Sequence, residues 1–191
     1  IDHVEINPRM SGASTRLLIA LAALRSGKTT IDGHESLRAR TNLPLLNTLE
    51  ELGCQVDSFD GYLPLSIQGP IKPTASVSID GSLSSQYISA LLLISCGLHD
   101  DQATCEEITI DGTLVSKPYV DITINEMKKR GVKPQWENSR TIKIDRDSHY
   151  KAVNLAIEGD ATAASYAASL ACLHKSKVKF TNFGSTTRLG E

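Results

Sequence analysis

Two hydroxyls and an amide, Ser84-Ser85-Gln86, stand where the polar turn Asp80-Gly81-Ser82-Leu83 runs into an apolar stretch, Tyr87 to Leu93. Serine is among the preferred N-caps, so Ser84 or Ser85 can cap a helix beginning near Gln86. Free backbone N–H groups at the positive end of the helix dipole then gather beside these side chains, a combination suited to an anion and to phosphate above all. The plainer alternative is that the serines cap the helix and do nothing more. A second polar start, Gly12-Ala-Ser-Thr-Arg16, precedes the apolar stretch Leu17 to Leu24, and Arg16, Arg38 and Arg40 lie in or near such turns. Arginine suits two-pronged binding of phosphate or carboxylate, although a single surface arginine is more often simply solvated.

A third group is Val115-Ser-Lys-Pro-Tyr-Val-Asp-Ile-Thr-Ile-Asn125. Pro118 suits the first turn of a helix, Ser116 precedes it as a cap, and Lys117 and Tyr119 project from the helix start. Tyr119 could equally staple the helix to a sheet with its amphipathic ring. The segment Gly27-Lys28-Thr29 has the closing residues of a phosphate loop, but Ala22 replaces the first glycine and the segment follows a helix and precedes a strand, the reverse of what that loop requires. The five histidines form no ligand spacing, and Cys54, Cys96, Cys105 and Cys172 contain no C-x-x-C pair, which argues against a zinc site or a disulfide framework.

These groups need a scaffold, and 191 residues with 40% hydrophobic side chains suffice for one sizeable core or for one domain and part of another. Twenty basic against 22 acidic residues give a net charge of −2, so the broad basic footprint of a nucleic-acid binder is missing. No apolar run reaches the roughly 18 residues of a membrane span. The expectation is a thiol-reducing setting with no nucleic-acid and no membrane partner.

Hydrophobic periodicity predicts strands at 1–6, 28–31, 54–59, 65–68 and 76–79, with helices at 17–24 and 43–52. A second round follows: helix 86–96, strand 104–110, helix 119–130, and strands near 132–136, 141–144 and 152–157. Asp32-Gly33 and Asp111-Gly112 are 79 residues apart, Gly53 and Gly131 are 78 apart, and Tyr87 and Tyr166 are 79 apart. Three agreeing offsets predict an internal repeat of α/β units whose equivalent turns gather on one face. A third copy starts at Glu158-Gly-Asp-Ala-Thr-Ala-Ala-Ser-Tyr166, with a helix to about Leu173 and a strand at 177–181.

Taken together, Asp80-Gly-Ser-Leu-Ser-Ser-Gln-Tyr87, Val115-Ser-Lys-Pro-Tyr-Val-Asp-Ile-Thr123 and Glu158-Gly-Asp-Ala-Thr-Ala-Ala-Ser-Tyr166 closely resemble segments of the 5-enolpyruvylshikimate-3-phosphate synthases, in the family's order. The resemblance implies the enolpyruvyl transferase fold, an inside-out α/β barrel of repeated βαβαββ units. It also implies transfer of the enolpyruvyl group of phosphoenolpyruvate to shikimate 3-phosphate in the shikimate pathway, without a cofactor and without a metal. Residues 1–156 would be the second and third units of one domain, and 157–191 the crossover and the beginning of the other. By the same resemblance Ser84, Ser85, Gln86, Ser116 and Tyr119 hold shikimate 3-phosphate, and Gly12, Arg40 and Gln86 hold phosphoenolpyruvate. Arg16 and Lys117 support them, and Asp160 matches an aspartate in the strand where the chain crosses between domains.

The family's usual Asn-Ala-Gly-Thr-Ala-x-Arg-Pro stands here as Met10-Ser-Gly-Ala-Ser-Thr-Arg-Leu17, and Thr41 follows Arg40 where a proline is usual. The groups that transfer protons in the family have no counterpart in these residues, so no catalytic residue is assigned and the missing unit and other domain are the expected partners. A cytoplasmic setting is implied, or a plastid one for a parent with a transit peptide. Two alternatives stay open: a UDP-N-acetylglucosamine enolpyruvyl transferase-like enzyme, against which Ser84-Ser85-Gln86 and Lys117-Pro118-Tyr119 argue, and a non-catalytic repeat domain that binds phosphorylated ligands or a protein.

Overall fold

The computed structural model of the chain describes residues 2–96 and 105–183. Residues through Lys151 form one compact unit and those from Ala152 a second. In the first, β1 (His3–Ile6), α1 (Gly12–Ala22), β2 (Lys28–Ile31), α2 (Glu35–Arg38), α3 (Leu43–Glu51), β3 (Gln55–Phe59) and β4 (Tyr62–Gln68) make one round. The next is β5 (Thr74–Asp80), α4 (Ser85–Ile94), β6 (Cys105–Asp111), α5 (Lys117–Lys129), β7 (Gln135–Trp136) and β8 (Thr141–Lys143). Each round closes its own four-stranded sheet, in the orders β1-β2-β4-β3 and β5-β6-β8-β7.

Both sheets are built the same way. A helical crossover joins a parallel pair, β1 with β2 and β5 with β6, and the last two strands add in antiparallel fashion. The repeat expected from the 79-residue spacing is thus a βαβαββ unit used twice. Asp60 and Gly61 turn β3 into β4 with φ values of 51° and 77°, the paired positive φ of the tight turns that match strand twist. Gly53 and Gly131 do equivalent work at the ends of α3 and α5. Each has φ above 90°, and the residue after it bonds back five positions, Cys54 N–H to Leu49 O at 3.0 Å and Val132 N–H to Met127 O at 3.1 Å. These are Schellman caps, in which the left-handed residue is usually glycine.

Helices α1, α3, α4 and α5 pack on one another. Helix α4 buries Tyr87, Ile88, Ala90, Leu91, Leu92 and Ile94, and a helix apolar on all sides belongs in a core rather than on a surface. It packs against α1, α3 and α5, and the Ser89 hydroxyl meets that of Thr123 on α5 at 2.7 Å. Strands present Val77, Ile79, Ile108, Ile110 and Ile142 to this core and turn Ser76 and Ser78 outward. Each such aliphatic side chain, fully buried, contributes about 1.5–3 kcal/mol.

Several expectations need correction. Helix α1 starts at Gly12 rather than Leu17, because Ser11 caps it by accepting from Ser14 N–H at 3.2 Å, and the polar run folds as its first turn. The four-residue helix α2 was not anticipated. In the second unit, α6 (Ala161–Leu173) forms as expected, but 152–157 and 177–181 are not strands. A period-two pattern fits a segment for a sheet, and the strand itself needs a hydrogen-bonded neighbour. Thr104, expected to open a strand, lies outside the described residues. Among the described residues no helix is long and apolar enough to cross a membrane.

Candidate functional site

At the start of α1, Gly12 leaves room for two guanidinium groups. A Cβ on Gly12 would stand 2.7 Å from Arg16 Nη1 and 2.9 Å from Arg40 Nη1, so any side chain there would collide with both. Arg16 reaches back one turn to donate from Nη1 to the Gly12 carbonyl at 2.9 Å, while Arg40 arrives from the segment after α2. Neither takes part in an ion pair among the described residues. Arg16 is 3% exposed, and its Nε is buried without a hydrogen-bond partner. Burial pulls its pKa below the ordinary value; the neighbouring Tyr87 opposes this, and the Arg40 charge adds to the lowering. Two cations side by side without a carboxylate, one carrying an unused buried donor, make an electrostatic seat for an anion.

Arg38 behaves otherwise. Its Nε and Nη2 clasp the two oxygens of Asp32 at 2.9 and 2.5 Å, fixing the turn from which Arg40 projects. The three arginines picked out by position therefore divide into one structural clasp and two free cations.

Helix α4 begins beside this seat. Ser84 is its N-cap, with extended backbone and Oγ accepting from Gln86 N–H at 3.2 Å, and Ser85 is buried in the first turn. The Gln86 side-chain Oε1 is buried with no partner, a state that costs about 1–3 kcal/mol unless something satisfies it. Tyr87, noticed in the sequence only as a repeat marker, donates its hydroxyl to the Thr41 carbonyl at 2.7 Å and so links α4 to the residue after Arg40. Nothing in its spacing announced that contact, which spans 46 residues.

Helix α5 is joined to the same region through its approach loop. Gly81 N–H donates to Asp111 O at 3.1 Å and Val115 N–H to Gly81 O at 3.2 Å, tying the turn before Ser84 to the turn before Ser116. Ser116 holds the N-cap position but in the left-handed region, φ 53°, with no capping bond from its side chain, which corrects the expectation of a cap. Tyr119 is 52% exposed. Lys117 is engaged: it meets both oxygens of Asp121 at 3.0 and 3.1 Å and sits 4.2 Å from the centre of the Trp136 ring, while Trp136 Nε1 donates to Asp121 at 2.7 Å. Asp160 lies in the second unit and is the N-cap of α6, accepting from Thr162 and Ala163 N–H, rather than a strand residue. Among the described residues no cluster of His, Cys, Asp and Glu could hold a metal ion.

The structure thus gathers Gly12, Arg16, Arg40 and the start of α4, and links the latter to the turn before Ser116. The near phosphate loop at Gly27-Lys28 is none: Lys28 opens β2, and its carbonyl and the Thr29 hydroxyl receive Arg25 Nη1.

The family model described as EPSP synthase (3-phosphoshikimate 1-carboxyvinyltransferase) matches residues 2–191. The 3-phosphoshikimate 1-carboxyvinyltransferase of Methanococcoides burtonii is 39% identical over 176 residues, covering 90% of this chain and 40% of that protein. The protein of the same name from Methanosarcina acetivorans is 40% identical over 172 residues, covering 88% of this chain and 39% of the relative. Among solved structures, the EPSP synthase of Acinetobacter baumannii superimposes with a TM-score of 0.64 at 19% identity, covering 85% of this chain and 35% of that one, a likeness of fold. The chain spans about two fifths of the length of the relatives it matches.

Proposed function

The chain belongs to the EPSP synthase family, and we propose that it forms one wall of the site in which such an enzyme moves the enolpyruvyl group of phosphoenolpyruvate onto shikimate 3-phosphate, a step of aromatic amino acid biosynthesis. The observation that carries this reading is the pair of unpaired guanidiniums, Arg16 and Arg40, meeting over Gly12 beside the start of α4. Gly12, Arg40 and Gln86 take phosphoenolpyruvate, with Arg16 behind them. Ser84, Ser85 and Gln86, at a helix start suited to phosphate, take shikimate 3-phosphate together with Ser116 and Tyr119. Lys117 holds the start of α5, and Asp160 the start of α6.

In the transfer, the substrate hydroxyl bonds to the central carbon of the enolpyruvyl group and the carbon–oxygen bond to phosphate breaks. Cations fixed where phosphate charge builds stabilise that departure without rearranging. The groups that move protons are supplied by the rest of a longer enzyme, in which residues 1–156 are the second and third units of one domain and 157–191 lead into the other. That enzyme works in the cytoplasm, and the remainder of its chain is the partner of this piece. Phosphate release from phosphoenolpyruvate and shikimate 3-phosphate by the full-length protein tests the reading. Turnover that requires both substrates is expected; a full-length protein that binds neither would overturn it.

A further inference from the structure

We infer that Tyr87 is a positioning residue: its hydroxyl anchors the Arg40-Thr41 segment of the first repeat to the ligand-facing start of α4 in the second, so that the two halves of the site keep one spacing. For its ligands this rests on the reading above. Arg40 is exposed and follows a helix only four residues long. Its own repeat holds the segment through Arg40 N–H to Leu37 O at 3.0 Å and Asn42 N–H to Gly61 O at 2.8 Å. Neither bond says where Arg40 stands relative to Ser84, Ser85 and Gln86. The bond from Tyr87 to Thr41 O at 2.7 Å does, because Tyr87 follows Gln86 directly in the same helical turn. The ring is 2% exposed and needs no hydroxyl to fill its place, so phenylalanine would pack as well. What the hydroxyl adds is a fixed distance between repeats, with its oxygen also beside the buried Arg16 guanidinium. A ligand spanning two sites depends on such spacing, since a small misplacement of one binding group loses much of its contribution.

The test is Tyr87→Phe in the full-length protein, with two readouts. In steady-state kinetics the KM for phosphoenolpyruvate should rise about three- to tenfold, the worth of one neutral hydrogen bond, while the KM for shikimate 3-phosphate stays within about twofold. In an Arg40→Ala background the same change should add less than about twofold, because Tyr87 acts through Arg40. In hydrogen exchange, the amides of residues 34–42 should exchange several-fold faster, with those of α4 unchanged. Equal rises in both KM values, full additivity with Arg40→Ala, or unchanged exchange in 34–42 would overturn the inference. If the unaltered protein turns over neither substrate, the functional reading fails, and the exchange comparison still decides whether Tyr87 anchors the segment.

Discussion

Arg38 and Asp32 face each other as a two-pronged pair, Nε to Oδ1 at 2.9 Å and Nη2 to Oδ2 at 2.5 Å, and Gly33 N–H adds a third bond to the same carboxylate at 2.8 Å. This clasp closes the turn between β2 and α2 and leaves Arg40, two residues on, as the cation free for a ligand. Under the proposed function, Arg40→Ala in the full-length protein should weaken phosphoenolpyruvate by about 1.5–3 kcal/mol, the range for a charged hydrogen bond, with little effect on shikimate 3-phosphate. Arg38→Ala should lower the thermal midpoint and disturb phosphoenolpyruvate less. Titration of both ligands against both variants checks this, and equal losses for the two ligands in Arg40→Ala would remove it from its role.

The same clasp predicts acid sensitivity. The Arg38 hydrogen bond, first among the causes, holds the Asp32 carboxyl below its ordinary 3.8, and Arg130 with Lys129 does likewise for Glu126 below 4.5. A depressed carboxylate pKa contributes stability that is fully present above the unfolded value and is lost as pH falls through the folded one. Thermal midpoints should be flat from neutral pH down to about pH 5 and fall below about pH 4.5. Asp32→Asn should flatten part of that fall, and an unchanged acid limb would deny the pair any share in it.

Gly53 and Gly131 fill the left-handed position of two equivalent helix ends, with φ of 95° and 92°, and a Cβ on either would press against a lysine stem at 3.2 Å. Replacing either by alanine should cost about 1–2 kcal/mol, the penalty of left-handed backbone for a residue with a side chain. Denaturant unfolding of each single variant measures it, and the two losses should add, since the sites lie in different repeats.

These caps also show what the sequence made legible. Glycine at a helix end states a backbone requirement that tertiary structure rarely overrides, so the repeat could be read from Gly53 and Gly131. Strand 28–31 was placed to the residue because it lies between Gly27 and Asp32-Gly33. The start of α1 was missed, since Gly12, Ser14 and Thr15 have weak helix propensity and only the Ser11 cap and core packing make them helical. The alternation Val153, Leu155, Ile157 read as a strand, yet those residues are 44%, 41% and 81% exposed and, among the described residues, pair with no strand. In the site, residue types pointed to Arg16, Arg38 and Arg40 alike. The family resemblance singled out Arg16 and Arg40, and the positions of Asp32 and Gly12 give the physical reason, one holding Arg38 and the other leaving room for the free pair; no local pattern encodes a contact such as Tyr87 to Thr41.

Among the described cysteines, Cys54 and Cys105 are buried, and burial raises each thiol to about 11, whereas Cys172 on α6 is exposed. Because the thiolate is the reacting form, a disulfide reagent at about pH 8 should label Cys172 rapidly in the isolated chain and leave Cys54 and Cys105 untouched until the chain unfolds. Peptide mass spectrometry of labelled protein decides this. Early labelling of Cys54 would contradict the burial of the strand and helix around it.

The two serines at the start of α4 now carry different expectations. Ser84 accepts from Gln86 N–H, so its loss should appear in stability: Ser84→Ala should cost about 0.5–2 kcal/mol as a missing N-cap. Ser85 is in the first turn, is 5% exposed, and caps nothing, so Ser85→Ala should leave the thermal midpoint nearly where it was if its hydroxyl serves a ligand. Under the proposed function the double variant in the full-length protein should weaken shikimate 3-phosphate by roughly 2–3 kcal/mol, at about 0.5–1.5 for each neutral hydrogen bond and more where the acceptor is charged. Shikimate, which lacks the phosphate, should lose much less. The deciding quantity is the ratio of the two dissociation constants in the unaltered and doubly changed proteins, because a general loosening of α4 would weaken both ligands and leave that ratio fixed. A ratio that moves at least about tenfold, equivalent to 1.4 kcal/mol, assigns the hydroxyls to the phosphate, and a constant ratio returns both serines to the helix alone.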